Sequence, residues 1–457
     1  MPAFAPEKLA TWTGGSWTRL PGGAVKGFNQ DTRTLSAGQV FVALKTDKRD
    51  GHDFLHDAQK GGAVAALVGR EIVGSMLPQL VTTDPLGAFQ RIAREHRREF
   101  HGTVVGVTGS VGKTSTKDLL ALLLGGSPEV LATAGNLNNH IGVPLTLTRL
   151  DPAHRAAVIE AGISLLGEMA GLAEMIEPDH SVVTLVAPAH LEKLGTLEGV
   201  AAEKARLPAA NRAGGVGVFP VSCWAYAPFR ALANPLVLVP EGDGKTKGAA
   251  RSVRFQVAQR SNRTEVTLDG KRRFEFRRVS TGMAQNTALA LALASELGVK
   301  DAVLQSRLAG WQPSRWRGEL RQMGEATVYC DFYNANPASM ADAIDAFNSI
   351  VDAGRPRLYV LGSMEELGAD SANFHRQLGR LLHLRPGDFL FALGSQAAAL
   401  REGLLENGNA AAQIAIAADA APVRERLAGY KGAVFLKGSR RYQLETVLDP
   451  HAVVHAH

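Results

Sequence analysis

Lys113 and Thr114 close a glycine-rich run, VVGVTGSVGKTSTKDL (104–119), whose order of types suits phosphate chemistry. An apolar stretch reads as a buried strand, Gly109, Ser110 and Gly112 as a tight turn, and Lys113 onward as the start of a helix. Such a turn aims backbone N–H groups at polyphosphate oxygens, with the helix N-terminus behind them. Lys113 would reach the terminal phosphates and the Thr114 hydroxyl would bind Mg²⁺, with Ser115 alongside. The spacing is not the common one. The glycine expected five positions before the Gly-Lys pair is Val107, and the extra glycines are Gly106 and Gly109.

Other residues capable of chemistry follow predicted strands. Glu160 ends the strand within AVIEAG (157–162), His190 follows HSVVTLV (180–186), and Lys204 lies on a predicted helix, EGVAAEKARL. A carboxylate, an imidazole and an amine near a phosphate loop can organise metal and triphosphate. Taken singly, each is more often a solvated or structural residue than a ligand. TAGNLNNHIGVPLTL (133–147) holds Asn138 and Asn139, whose amides suit either a polar ligand or a loop of Asx turns. CDFYNANPASM (330–340) places Asp331, Asn334 and Asn336 at a strand-to-helix turn, with Pro337 suited to the first helical position. LGSMEELG (361–368) and LKGSRRYQLE (436–445) occupy similar turns, and Lys437, Ser439 and Arg440 would face an anion. Read alone, each of these turns is better explained as an ordinary helix cap.

The elements that must position these residues are those of an α/β protein. A chain of 457 residues exceeds one core. Strands are expected at 39–44 and 63–68 in a first unit, and a charged helix at 89–100 marks its end. From residue 103 continuous apolar strands alternate with helices, as in a parallel sheet covered on both faces. Residues 251–279 alternate around an Asp-Gly turn and predict a β-hairpin; the alanine-rich 285–297 predicts a helix. A third unit begins near 312–317, with strands at 326–332, 356–362, 388–394 and 433–438, in a doubly wound order. The domains are therefore expected at 1–100, 101–312 and 313–457, with no internal repeat.

Net charge is +6, with Lys and Arg interleaved among Asp and Glu. That suits an anionic small-molecule substrate and excludes a nucleic-acid footprint. Two cysteines, Cys223 and Cys330, lack the spacing of a metal site or a disulfide framework. No apolar run is long enough to span a bilayer, so no membrane insertion is expected. MPAFAPEKLA lacks a charged n-region followed by an apolar h-region, so the expected compartment is the cytoplasm. A monomer is expected.

Taken together, the motifs resemble the Mur ligases, the ATP-dependent amide-forming enzymes of peptidoglycan synthesis. TGSVGKTS matches that family's TGxxGKT form, which accounts for the displaced glycine. GNLNNHIGVPLTL, PAHLEKLGTLEGVAAEK, YNANPASM, LGSMEELG and LKGSRRYQLE follow in the family's order. DTRTLSAGQVFVALKTDKRDGHDF (31–54) resembles the family's nucleotide-sugar segment. Nearly the whole chain is covered. The resemblance implies a small N-terminal α/β UDP-binding domain, a central P-loop parallel-sheet domain and a C-terminal doubly wound α/β domain. It implies ATP and two Mg²⁺ ions, with UDP-N-acetylmuramoyl-tripeptide and D-alanyl-D-alanine as substrates joined through an acyl phosphate.

By the same resemblance, Thr114, Glu160 and His190 hold metal, and Lys204 aligns with a lysine that many members carry carbamylated. Asn286, Arg317 and Asp331 contact nucleotide. Thr32 and Arg33 meet the uridine diphosphate, and Asn138, Asn139, Asn334 and Asn336 face substrate. Departures are Cys330-Asp331 for paired aspartates, Gln285-Asn286 for His-Asn, Lys45-Thr46 in place of a glycine, and 161–164, AGIS, in place of a polar run. The alternatives are a sibling ligase adding a single amino acid, a folylpolyglutamate synthase, a P-loop ATPase driving motion, and an inactive UDP-sugar-binding relative.

Overall fold

A computed structural model describes residues 2–243, 251–352 and 354–449. Met1 of the expected first domain, 244–250 of the second, and 353 and 450–457 of the third lie outside the described residues. The chain builds three main sheets, each wrapped by helices in an α/β arrangement.

The first sheet has five strands, ordered Ser16–Trp17, Gln79–Val81, Ala65–Val68, Gln39–Val42 and Gly27–Asn29. All pairs are parallel except the outermost, Ser16–Trp17 against Gln79–Val81. The helix leading out of this unit runs Pro85–Glu99 and begins four residues earlier than the charge pattern suggested. Asp84 caps it by accepting from the Gly87 N–H at 3.1 Å, and Pro85 occupies its first turn. Its Arg97 is fully buried and bonds the Ile176 and Glu177 carbonyls and Asp179, which fastens the first unit to the second.

The central sheet has nine strands. Thr103–Thr108 lies between Ala156–Glu160 and His180–Val183, in parallel register that sets Glu160 beside Val107 and Val183 beside Thr108. The chain winds first to one side of Thr103–Thr108 and then to the other, so the C-terminal ends of these three strands form a switch point, where open α/β sheets take their ligands. Helices Lys113–Leu124 and Thr281–Glu296 pack together on one face over a core of Leu119, Leu123, Leu289 and Leu293. Helix Leu197–Ala209 covers the other face. The expected hairpin is a three-stranded antiparallel meander, Ser252–Gln259, Arg263–Leu268 and Arg272–Arg277. Its Asp-Gly turn is the second of two, with φ of 49° at Asp269 and 67° at Gly270.

The third sheet orders Glu319–Met323, Ala326–Cys330, Ala433–Lys437, Arg357–Gly362, Phe389–Leu393 and Ile414–Ala417. Five strands are parallel, and the first is an antiparallel edge. Asp331, Gly362 and Lys437 therefore emerge at one edge of the sheet. No helix among the described residues is long and apolar enough to cross a membrane.

Candidate active site

The phosphate-loop conformation depends on its glycines. Gly109 has φ of 147°, and a β-carbon there would stand 1.9 Å from the Thr184 hydroxyl oxygen. Gly112 has φ of 77°, and a β-carbon there would stand 2.1 Å from the Asn286 amide nitrogen. Both positions thus require glycine for conformation and for space. The segment after His180–Val183 holds the loop down. Ser110 N–H donates to the Leu185 carbonyl at 2.8 Å, the Ser110 hydroxyl donates to the Ala187 carbonyl at 2.9 Å, and Ala187 N–H donates back to that hydroxyl at 3.0 Å. This is why the strand expected to reach 186 ends at Val183: its next residues pair with the loop. Thr184 and Ala187 were not read from sequence, because their partners lie more than seventy positions away.

A cleft of about 620 Å³ opens above the loop. Ser110, Gly112, Lys113, Thr114, Ser115, Asn138, Asn139, Glu160, His190, Asn286, Arg317, Asp331, Asn334 and Asn336 all line it. Gly109 lies beneath the lining; its carbonyl accepts from Lys113 Nζ at 3.0 Å. Burial lowers the Lys113 pKa, Arg317 adds to that, and Glu160 opposes it. Lys204 stands behind the lining, 2% exposed, and makes no hydrogen bond or ion pair among the described residues. Burial and the neighbouring Lys113 ammonium push its amine well below the usual lysine range. Thr32 and Arg33 do not join the cleft. They sit in a turn of the first unit, where Arg33 pairs with Asp31 at 2.6 Å.

Glu160 is 1% exposed. Its Oε1 accepts from Asn138 Nδ2 at 2.7 Å, while its Oε2 is buried with no partner among the described residues. A buried, unsatisfied carboxylate oxygen is costly unless something occupies it. Asn139 has a different use: its side-chain oxygen accepts from the Ile141 and Gly142 N–H groups at 3.1 and 2.8 Å and so shapes the turn into the next helix. His190 opens the short helix Leu191–Leu194 with φ of 54°, and its Nδ1 pairs with Glu366 Oε2 from the third unit.

The third unit supplies the roof. Lys437, 1% exposed, donates to Asp331 Oδ2 at 2.7 Å and to the Asn334 carbonyl at 3.2 Å. Asn336 caps helix Pro337–Ile350 in a reciprocal box with Ser339, and its Nδ2 donates to the Ser110 carbonyl at 3.3 Å. One turn further, Asp342 accepts from the Gly282 N–H at 2.8 Å, at the N-terminus of helix Thr281–Glu296. Arg317 lies over the Tyr333 ring at 4.0 Å. Of these, Lys437 stood out in the sequence as an anion-facing group; Tyr333, Asp342 and Glu366 gave no signal of their own.

The donor set can be tested against Mg²⁺. Among the described residues no three His, Cys, Asp or Glu side chains form a metal-holding group. Mg²⁺ uses one or two carboxylates together with phosphate oxygens and water, not a protein cage. The buried vacant Oε2 of Glu160, with Thr114 and His190 on the same cleft, fits that requirement.

The architecture is that of a three-unit α/β protein in which loops and helix ends of the second and third units line one cleft above a glycine loop. Residues 107–294 match the Mur ligase middle domain, and 316–440 match the Mur ligase, glutamate ligase domain. The UDP-N-acetylmuramoyl-tripeptide–D-alanyl-D-alanine ligase of Bacillus subtilis (strain 168) is 31% identical over 396 residues, 84% of this chain and 83% of that protein. The crystal structure of MurF from Acinetobacter baumannii superposes with a TM-score of 0.85 at 25% identity, covering 98% of this chain and 99% of that one. MurF from Thermotoga maritima in complex with ADP gives a TM-score of 0.78 at 27% identity, covering 93% and 96%. The chain belongs to the Mur ligase family.

Proposed function

We propose that this chain is an ATP-dependent, ADP-forming ligase that joins D-alanyl-D-alanine to UDP-N-acetylmuramoyl-tripeptide in peptidoglycan precursor synthesis. The observation that carries this reading is the convergence on one cleft of a phosphate loop, an unsatisfied buried carboxylate at Glu160 and a roof from the third unit. The names of the relatives support the substrates.

The tripeptide carboxylate attacks the γ-phosphorus of ATP, giving an acyl phosphate and ADP. The dipeptide amine then attacks the acyl carbon, phosphate leaves, and the amine proton is lost. A free carboxylate is a poor electrophile, so phosphorylation supplies the leaving group. Catalysis of the first step is positioning and charge neutralisation. In this reading the loop N–H groups and Lys113 hold the terminal phosphates. Val279, Met283 and Trp311 add apolar lining to the cleft against which a base would lie, with Asn286, Arg317 and Asp331 along the nucleotide. Thr114 and Glu160 would hold one Mg²⁺ and His190 a second; when bound, the ions screen the repulsion between carboxylate and triphosphate.

Lys204 is suited to carbamylation. The reaction needs a neutral amine, and the buried Lys204 amine is depressed toward that form; the product is an anionic oxygen ligand. Asn138, Asn139, Asn334 and Asn336 face the muropeptide and dipeptide side, and Thr32 with Arg33 take the uridine diphosphate in the first domain. We assign the domains to 1–100, 101–312 and 313–457. One chain lines the whole cleft, so a monomer suffices, and we place it in the cytoplasm. A closed third unit keeps water from the acyl phosphate.

The test is ADP release measured with each substrate omitted in turn. Dependence on both muropeptide and D-alanyl-D-alanine is expected. Equal ATP hydrolysis without them would sink the ligase reading, and a preference for a free amino acid over the dipeptide would point to a sibling ligase.

A further inference from the structure

The contact between His190 and Glu366 joins two residues with no sequence relationship, 176 positions apart. Among the described residues no other acidic and basic side chains pair between the central and third units. Both partners hold left-handed backbone, φ of 54° at His190 and 62° at Glu366. Non-glycine residues in that region are strained and persist where the surrounding structure demands them. The turn carrying Glu366 also packs Gly368 against the Glu192 backbone, so the two segments meet along their length. The adjacent Glu365 is used elsewhere, by Tyr442 and Arg441. Glu366 alone of the pair faces the imidazole.

A carboxylate can only accept, so the contact places the proton of the imidazole on Nδ1. In the neutral ring that leaves the lone pair on Nε2. Histidines that bind metals commonly donate their other ring N–H to a carboxylate, which fixes tautomer and orientation and strengthens the ligand. His190 lines the cleft with its Nδ1 held in this way.

We propose that Glu366 is a positioning residue for the second cation site: by holding His190 Nδ1–H, it presents Nε2 to the metal, so that the site is complete only when the third unit is docked. This rests on the reading of His190 as a metal ligand. Domain docking and metal binding then become linked equilibria, since whatever holds the third unit in place also orders the ligand.

Mn²⁺ bound in place of Mg²⁺ can be counted by electron paramagnetic resonance, with a non-hydrolysable ATP analogue and the muropeptide present. We expect two classes of Mn²⁺ in the parent protein. In Glu366→Ala the weaker class should lose about 10–100-fold in affinity while the tighter class is unchanged. Glu366→Gln keeps an acceptor for Nδ1–H and should lose less. His190→Ala should remove the weaker class altogether. Circular dichroism and thermal melting check that each variant is folded; the Glu366 side chain is 48% exposed, so its replacement leaves the cores intact. Unchanged second-class affinity in Glu366→Ala, beside its loss in His190→Ala, would overturn the proposal. Tighter binding would do so as well, since it would make Glu366 a competitor of the cation. If His190→Ala keeps both classes, the assignment of His190 itself fails.

Discussion

The two halves of the cleft are built by different means. The central half is made largely of backbone: two glycines with positive φ, a helix N-terminus, and a strand extension bonded to the loop. Its cost was met when the domain folded, and among the described residues Glu160 Oε2 has no hydrogen-bond partner while Lys204 is buried beside Lys113. The third unit's half is made of side chains that already satisfy one another, Lys437 with Asp331 and Asn336 with Ser339. Its polar contacts with the central unit include Asn336 to Ser110, Asp342 to Gly282, and Glu366 to His190. One half is preorganised to bind charge; the other is arranged to dock.

The largest effect should come from the preorganised half. Lys113→Ala removes the cation at the terminal phosphates, and a fall in kcat of about 10²–10³-fold or more is expected; ligation within threefold of the parent would show that the loop is not the phosphate site. Gly112→Ala forces a side chain into positive φ and against Asn286, at about 1–3 kcal/mol of local strain. Calorimetry should show weakened nucleotide binding, and urea unfolding a loss of stability no larger than that strain.

Variants of the docking half should be milder and should separate stability from closure. Asn336→Ala loses the helix cap, about 0.5–2 kcal/mol in urea unfolding. Asn336→Asp keeps the capping oxygen but loses the N–H given to Ser110, so it should keep stability while raising KM. Equal unfolding of both variants would mean that the cap does not matter.

The smallest effect concerns Asp342. Burial raises its carboxyl above the ordinary 3.8, with Asp331 adding, while hydrogen bonds from Ser280 and Gly282 and the charge of Lys437 pull the other way. An acid raised in the folded state is fully tolerated below its unfolded pKa and costs stability as pH climbs through the folded one. Asp342→Asn should therefore melt like the parent near about pH 4 and above it by about pH 7. A more stable parent at neutral pH would show that the helix N-terminus favours the charge more than burial opposes it.

What could be read in the chain tracks how local the cause is. The phosphate loop was legible because strand, turn and helix occupy one stretch and steric limits fix its glycines. Glu160 was legible as a strand end, and helix Pro337–Ile350 by its cap and its proline. The edge strand Glu319–Met323 was missed because ELRQM is polar and pairs on one side only. Strand Ile414–Ala417 was missed because its four residues carry too short a pattern. The start at Pro85 was hidden by a Pro-Leu-Gly run that reads as a turn until Asp84 is seen capping it.

The sequence by itself determined the three α/β units, the phosphate loop and the order of the motifs, because each follows from hydrophobic period, glycine conformation and charge within a few neighbouring residues. Only the tertiary structure decided that Glu160 keeps an oxygen unsatisfied, that Lys204 is buried beside Lys113, and that Glu366 meets His190. Those facts depend on which strand ends share an edge and how two sheets face each other, and side-chain contacts across 176 positions leave no periodic trace in the chain that makes them.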